Sequence, residues 1–258
     1  MKLLVLLKKE FNEIMRTSKI FVLPLVFLFI AVTSPLLAKY TPELVKLLTQ
    51  ATGQSMDLTS LIPPAKFVDS FVQLYKNLGQ IGLIVLLFAF AGTMTEEKTK
   101  GTATLILTKG VSRNTFVASK FVAAAGFFTT TYILMLVCFG ALALYLFPET
   151  PIATALVSVS IAWFYCLVIL SIIIMASVMA KNYMMSAVTG GLTFIGLSIL
   201  GSIPVIDKFT PGYLLNIGFQ MFNKTYTFTD FIWPISSGAA VMIIAILLTF
   251  YSFKRQEI

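Results

Sequence analysis

Residues 152–180 read IATALVSVSIAWFYCLVILSIIIMASVMA, and no Asp, Glu, Lys or Arg interrupts them. At 1.5 Å per residue an α-helix of that length runs roughly 40 Å, more than a hydrocarbon core of about 30 Å. A segment this long and this apolar is read as a membrane span rather than a soluble core helix. Working outward, five more charge-free stretches follow the same reading: Ile20–Ala38, Gly79–Thr95, Phe121–Phe147, Met184–Val205 and Phe231–Phe253. All charge falls between them or at the ends. The pattern predicts an all-α polytopic membrane protein with six transmembrane helices, forming one transmembrane domain over residues 1–258.

Composition agrees. The 258 residues are 58% hydrophobic and 12% charged, with a mean hydropathy of +0.91, against about 45–50% apolar and about 25% charged in soluble domains. There is no His, so the commonest general base, metal ligand and pH switch is missing. Cys138 and Cys166 both fall in apolar runs and read as small buried hydrophobes rather than a disulfide. No Asp or Glu falls inside a span, which argues against an intramembrane enzyme and against a carrier driven by buried ionisable groups.

Six spans put both termini on one side. If that side is cytoplasmic, it holds thirteen of the nineteen basic residues and five of the eleven acids, so the whole net charge of +8 lies there. That is the positive-inside distribution, and it predicts cytoplasmic N- and C-termini in a multi-pass plasma-membrane protein. Membrane orientation accounts for the basic excess, so nucleic acid is not an expected partner.

The first 19 residues are read as an amphipathic surface helix rather than a cleavable signal. Leu4, Leu7, Phe11, Ile14 and Met15 recur at helical spacing, with Lys2, Lys9, Glu13 and Arg16 opposite. The alternative is a cytoplasmic extension of the first span. Two external loops are expected, 39–78 and 206–230, the first with helix-like pieces around Glu43–Thr52 and Phe67–Leu78. Loops of this length suit a cap, a gate or plain shielding of helix ends.

The segment between the second and third spans carries the functional reading. Residues 95–120 read TEEKTKGTATLILTKGVSRNTFVASK. Thr102 is a cap candidate for a short helix that stops at Gly110, and Ser112 a cap for the helix entering the third span. Leu105, Ile106 and Leu107 make an apolar run badly placed for a solvated loop, so it needs a partner surface, membrane or protein.

This segment resembles the ABC-2 type permeases, the membrane subunits of ATP-binding-cassette exporters. Glu96-Glu97, Gly101-Thr102, a short apolar run, then Gly110-Val-Ser112-Arg113 and Lys120 carry the resemblance. Gly110 stands where that family commonly has Pro. The likeness implies an ABC-2-like fold and an ATPase-coupling segment at 96–120 with Glu96, Glu97, Gly101, Thr102, Leu105, Leu107, Ser112, Arg113 and Lys120. It also implies a second permease copy or homologous permease as dimer partner, and ATP with Mg on a separate ATPase subunit. No phosphate-binding Gly-x-x-x-x-Gly-Lys-Ser/Thr occurs, so no cofactor is expected in this chain.

Polar groups in the spans are mostly hydroxyls, expected to bond to their own helix or a neighbour. Gly190, Gly191, Gly196 and Gly201 make the fifth span a close-packing candidate. A pathway without charge suits an amphiphilic or apolar cargo: a drug, an antimicrobial peptide or a lipid. The competing reading is a non-transporting immunity or sensor protein that binds a peptide at its outer loops.

Overall fold

With no water in a bilayer core, backbone N–H and C=O groups must bond to each other, so each apolar stretch closes into a helix. The computed structural model describes residues 2–51, 64–201, 203, 207–222 and 228–256. Among them there is no strand, and six helices are long and apolar enough to cross a membrane. The chain is an all-α polytopic membrane protein.

The helices are α1 (Lys2–Arg16), α2 (Lys19–Ala51), α3 (Phe67–Asn77), α4 (Leu83–Phe90), α5 (Thr95–Thr99), α6 (Thr102–Thr108), α7 (Arg113–Leu146), α8 (Ile152–Met179), α9 (Tyr183–Leu200), α10 (Tyr213–Gln220) and α11 (Phe228–Arg255). The candidate spans are Lys19–Val45, Phe67–Thr99, Arg113–Leu146, Ile152–Met179, Tyr183–Leu200 and Asp230–Arg255. A break at Thr17–Ser18 makes α1 a separate helix rather than an extension of α2.

Two spans are longer than hydropathy alone predicts. Helix α2 continues past Ala38 to Ala51 with Pro24, Pro35 and Pro42 inside it. The hydroxyls of Thr33 and Ser34 bond back to the carbonyls of Phe29 and Ile30, each at 2.7 Å, in the turn before Pro35. The second span begins at Phe67, because α3 runs through a π-helical turn, Leu78–Gly82, straight into α4. Residues 52–63 of the expected first loop lie outside the described residues. In the expected second loop, a 3₁₀ turn (Asp207–Phe209) and α10 are formed, with Leu214 and Ile217 fully buried. Ile206 and residues 223–227 of that loop, and Val205 of the expected fifth span, lie outside the described residues.

Helix α8 is the axis of the bundle. It packs against α4, α7, α9, α10 and α11, while α2 packs on α7 and α3. Of the apolar window of α8, 72% is buried, against 17% for α9 and for α11, which leave broad faces to the surroundings. Aromatic pairs knit the core edge-to-face, Phe27 with Phe128 at 6.0 Å and Phe71 with Phe139 at 5.1 Å.

Most hydroxyls follow the expected local pattern: Thr130, Ser160, Ser171, Thr193 and Ser198 bond to carbonyls of their own helices. A few cross between helices. Tyr75 donates to the Ser158 carbonyl at 2.6 Å, and Ser158 Oγ donates to the Gly218 carbonyl at 2.6 Å, tying α3, α8 and α10 together. Of the glycines of α9, Gly190 faces Leu87 and Ala176 of this same chain, and a Cβ at Gly196 would meet nothing.

Candidate functional site

Residues 91–120 form a compact platform at the end of the bundle that also carries α1 and the end of α11. Its fold follows from local rules. The short helix α5 borrows its N-terminal cap from α8: Ser177 Oγ accepts from the backbone N–H of Met94 at 2.9 Å and of Thr95 at 3.2 Å. Thr95 Oγ1 donates in return to the Ser177 carbonyl at 2.9 Å. Gly101 then turns the chain with φ 69°, a left-handed conformation that favours glycine. Gly110, with φ 75°, does the same after α6. Ser112 caps α7, its Oγ accepting from Thr115 N–H at 3.1 Å.

The orphan carbonyls at helix C-termini draw in the platform's cations. Lys98 Nζ donates to the carbonyls of Val178 and Ala180, the latter at 3.0 Å, at the end of α8. Arg113 donates to the carbonyls of Phe253, Lys254 and Gln256 at 3.1, 2.8 and 2.7 Å, closing the end of α11. A small second core fills the space between: Met94, Ala103, Phe116, Val117, Val178 and Phe253, with Ile106 and Leu107 against it. Phe116 and Phe253 stack at 5.4 Å.

Beside this core lies a buried ion cluster. Lys120, 3% exposed, reaches Glu10 Oε2 at 2.6 Å and Glu97 Oε1 at 2.5 Å. Lys9 bonds Glu10 Oε1 at 3.1 Å, Glu13 Oε2 at 2.8 Å and also Glu97 Oε1. Three carboxylates and two ammonium groups thus join α1, α5 and α7. Burial alone would lower the Lys9 pKa, but its bonds to Glu13 and Glu97 and the charges of Glu10 and Glu97 hold it above the ordinary lysine value. Burial would raise the Glu13 pKa, but the charge of Lys120 and the bond to Lys9 hold it below the ordinary carboxylate value. Glu97 Oε2 is buried with no hydrogen-bond partner.

Glu10, Glu13 and Glu97 bring carboxylate oxygens within 4.8 Å of one another, a spacing that a cation can use. Here two lysine ammonium groups occupy that role, so the cluster is an ion-paired clasp rather than a metal site.

The sequence-predicted residues divide between these features. Glu97 and Lys120 meet in the cluster. Glu96 pairs with Lys100 at 3.1 Å on the surface. Arg113 sits away from them, spent on the end of α11. Thr102 is the first residue of α6 rather than its cap. Gly101 holds the cap position, and Thr102 Oγ1 donates to the Glu97 carbonyl at 3.2 Å. Leu105 projects outward at 64% exposed, whereas Leu107 leans on the second core. Sequence reasoning passed over Lys9, Glu10 and Glu13 as site residues. The available signal was Lys120, a charge two turns into α7 at the start of an apolar run, which calls for anionic partners.

No family model matches the chain. It is similar to the uncharacterized transmembrane protein YxlG of Bacillus subtilis (strain 168), 25% identical over 122 residues, which is 46% of this chain and 45% of that protein. The likeness thus spans about half the length of each.

Proposed function

We propose that the chain is the permease subunit of an ATP-binding-cassette exporter, moving an amphiphilic or apolar compound with ATP hydrolysed, with Mg, on a separate ATPase subunit. In this reading the platform faces the cytoplasm, as the one-sided basic charge supports, and two permeases form the pathway in the plasma membrane.

The observation that carries the reading is the position of α6. This short helix presents Leu105 to the surroundings while Ala103, Ile106 and Leu107 anchor it in the second core. An exposed apolar knob on an anchored helix is fit to seat in a cleft of a partner. Three connections then pass a displacement of α6 to the spans. Glu97 leads to α1 and α7, Ser177 with Lys98 leads to α8, and Arg113 leads from the start of α7 to α11. ATP-driven movement of the partner becomes movement of helix ends, with no charge needed at membrane depth.

Co-expression with the ATPase encoded by a neighbouring gene, followed by purification in detergent and mass determination, tests the reading. Two copies of this chain with two ATPases are expected, and one copy beside a different membrane subunit would make the exporter a heterodimer. Absence of any complex overturns the proposal and favours a peptide-binding immunity or sensor role.

A further inference from the structure

A groove opens between the start of α2, the end of α4 and the start of α9. Its walls are Val22, Val85, Phe88 and Ala89, and its polar rim is Ser18, Lys19, Glu96 and Tyr183. Val22 and Phe88 are half exposed. These residues stand at the ends of three spans, the level at which hydrocarbon gives way to headgroups. A smaller cavity shares Lys19 and Glu96 with the groove and is lined as well by Glu10, Glu13 and Lys120 of the ion cluster.

Glu96, Glu13 and Glu10 act on Lys19 through space, but none of them touches it. Lys19 is half-buried, yet among the described residues no carboxylate comes within ion-pair distance of it, in contrast to Lys9, Lys100 and Lys120. It is also the first residue of α2, where the helix dipole adds positive potential to its own charge. Both facts call for an anion there. Glu96 provides the opposite sign. Its carboxylate folds into the space left by the missing side chain of Gly92, where a Cβ would lie 2.2 Å from Oε1. Its other oxygen holds the exposed Lys100, a surface pair weak enough to exchange.

We propose that the groove holds a membrane phospholipid with a phosphoethanolamine head. The phosphate takes the place of the carboxylate that Lys19 lacks. The primary ammonium replaces Lys100 on Glu96. One acyl chain lies along Val22, Val85 and Phe88. A quaternary amine has no N–H to give Glu96, and a purely anionic head leaves Glu96 facing negative charge, so both bind less well. This assignment does not rest on the exporter reading.

Native mass spectrometry of the full chain in detergent tests it, with phosphatidylethanolamine, phosphatidylcholine and phosphatidylglycerol of matched acyl chains, and with chain-free glycerophosphoethanolamine. Retention of one phosphatidylethanolamine is expected, preferred over the other two lipids by roughly tenfold, the scale of one hydrogen bond to a charged group. The chain-free head should not be retained. Lys19→Ala should lower retention of all three lipids, whereas Glu96→Gln should level phosphatidylethanolamine with phosphatidylcholine. Lys100→Ala removes the competing amine from an exposed position and should raise phosphatidylethanolamine retention. Equal retention of the three lipids by the unaltered chain means non-selective annular contact and overturns the proposal, as does an unchanged preference in Glu96→Gln. Retention of the free head to the same extent would reassign the site to a soluble phosphoamine.

Discussion

At the end of the bundle that carries α1, five charged side chains from three helices converge, and two further cations close the ends of α8 and α11. At the opposite end, α3, α8 and α10 meet through Tyr75, Ser158 and Gly218 without a charge. The first arrangement depends on ionisation, because its pairs hold only while the carboxylates stay charged. The second is a fitted contact, with hydroxyl donors sunk among Phe71, Leu74, Leu214 and Ile217. In the exporter reading, the difference suits a molecule in which one end meets the ATPase and the other holds its shape.

The largest effect is expected at the charged end. Lys120→Met removes the fully buried cation of the cluster and leaves Glu10 and Glu97 to the half-buried Lys9 alone. It should lower stability by about 3 kcal/mol, the lower end of the cost of breaking a buried pair. Thermal unfolding in detergent measures it, and an unchanged midpoint would mean that water already screens the cluster. Next comes the neutral end. A Cβ at Gly218 would stand 2.1 Å from Tyr75 Oη and 2.4 Å from its Cζ. Gly218→Ala should therefore cost about 1–3 kcal/mol through overpacking. If it costs nothing, α10 is free to move off α3 and the contrast between the ends disappears.

Acidity should separate the two ends further. The lowered Glu13 pKa means that its contribution is complete above the ordinary carboxylate range and is lost as pH falls through its depressed value. The raised Lys9 pKa means that its contribution is complete below the ordinary lysine value and is lost as pH rises through the raised one. The clasp on α1 should hold across the neutral range and loosen only in acid, once pH falls below the ordinary carboxylate range toward the depressed value of Glu13. Spin labels at the exposed positions Lys8 and Asn114 should keep one distance from neutral pH down to that point and broaden beyond it. The Tyr75–Ser158–Gly218 contact should be indifferent. The smallest effect on stability belongs to Leu105→Asp, within about 0.5 kcal/mol because the side chain is exposed. In the exporter reading it nevertheless abolishes co-purification with the ATPase.

What the sequence made legible follows from scale. A span is a property of some twenty consecutive residues, and the runs from Ile152, Phe121 and Phe231 announce themselves. The start of the second span did not, because Asp69, Gln73, Lys76 and Asn77 dilute its hydropathy. Only the helical spacing of Phe71, Leu74, Tyr75 and Leu78 shows the face that enters the core. The platform was legible in its punctuation at Ser112 and Gly110, since caps and left-handed turns are local matters, although the cap read at Thr102 falls one residue earlier, on the left-handed Gly101. Its long-range wiring was not. That Lys120 would find Glu10, or that Arg113 would find the last carbonyls of α11, depends on how helices are arranged in space, and no local pattern encodes it. The family resemblance placed Glu97 and Lys120 in an ATPase-coupling segment without saying what they touch, and the fold buries both against α1.

The cap on α5 has a consequence for synthesis. The hydroxyl that receives the Met94 and Thr95 amides belongs to Ser177, 82 residues beyond Thr95. When residues 95–108 leave the ribosome, that group has not yet been made. Arg113 waits longer still, for carbonyls about 140 residues downstream. The platform is therefore completed only after α8 and α11 have been made, although its own residues precede both. A chain that stalls before α11 leaves Arg113 without the carbonyls that hold it, and this surface unfinished.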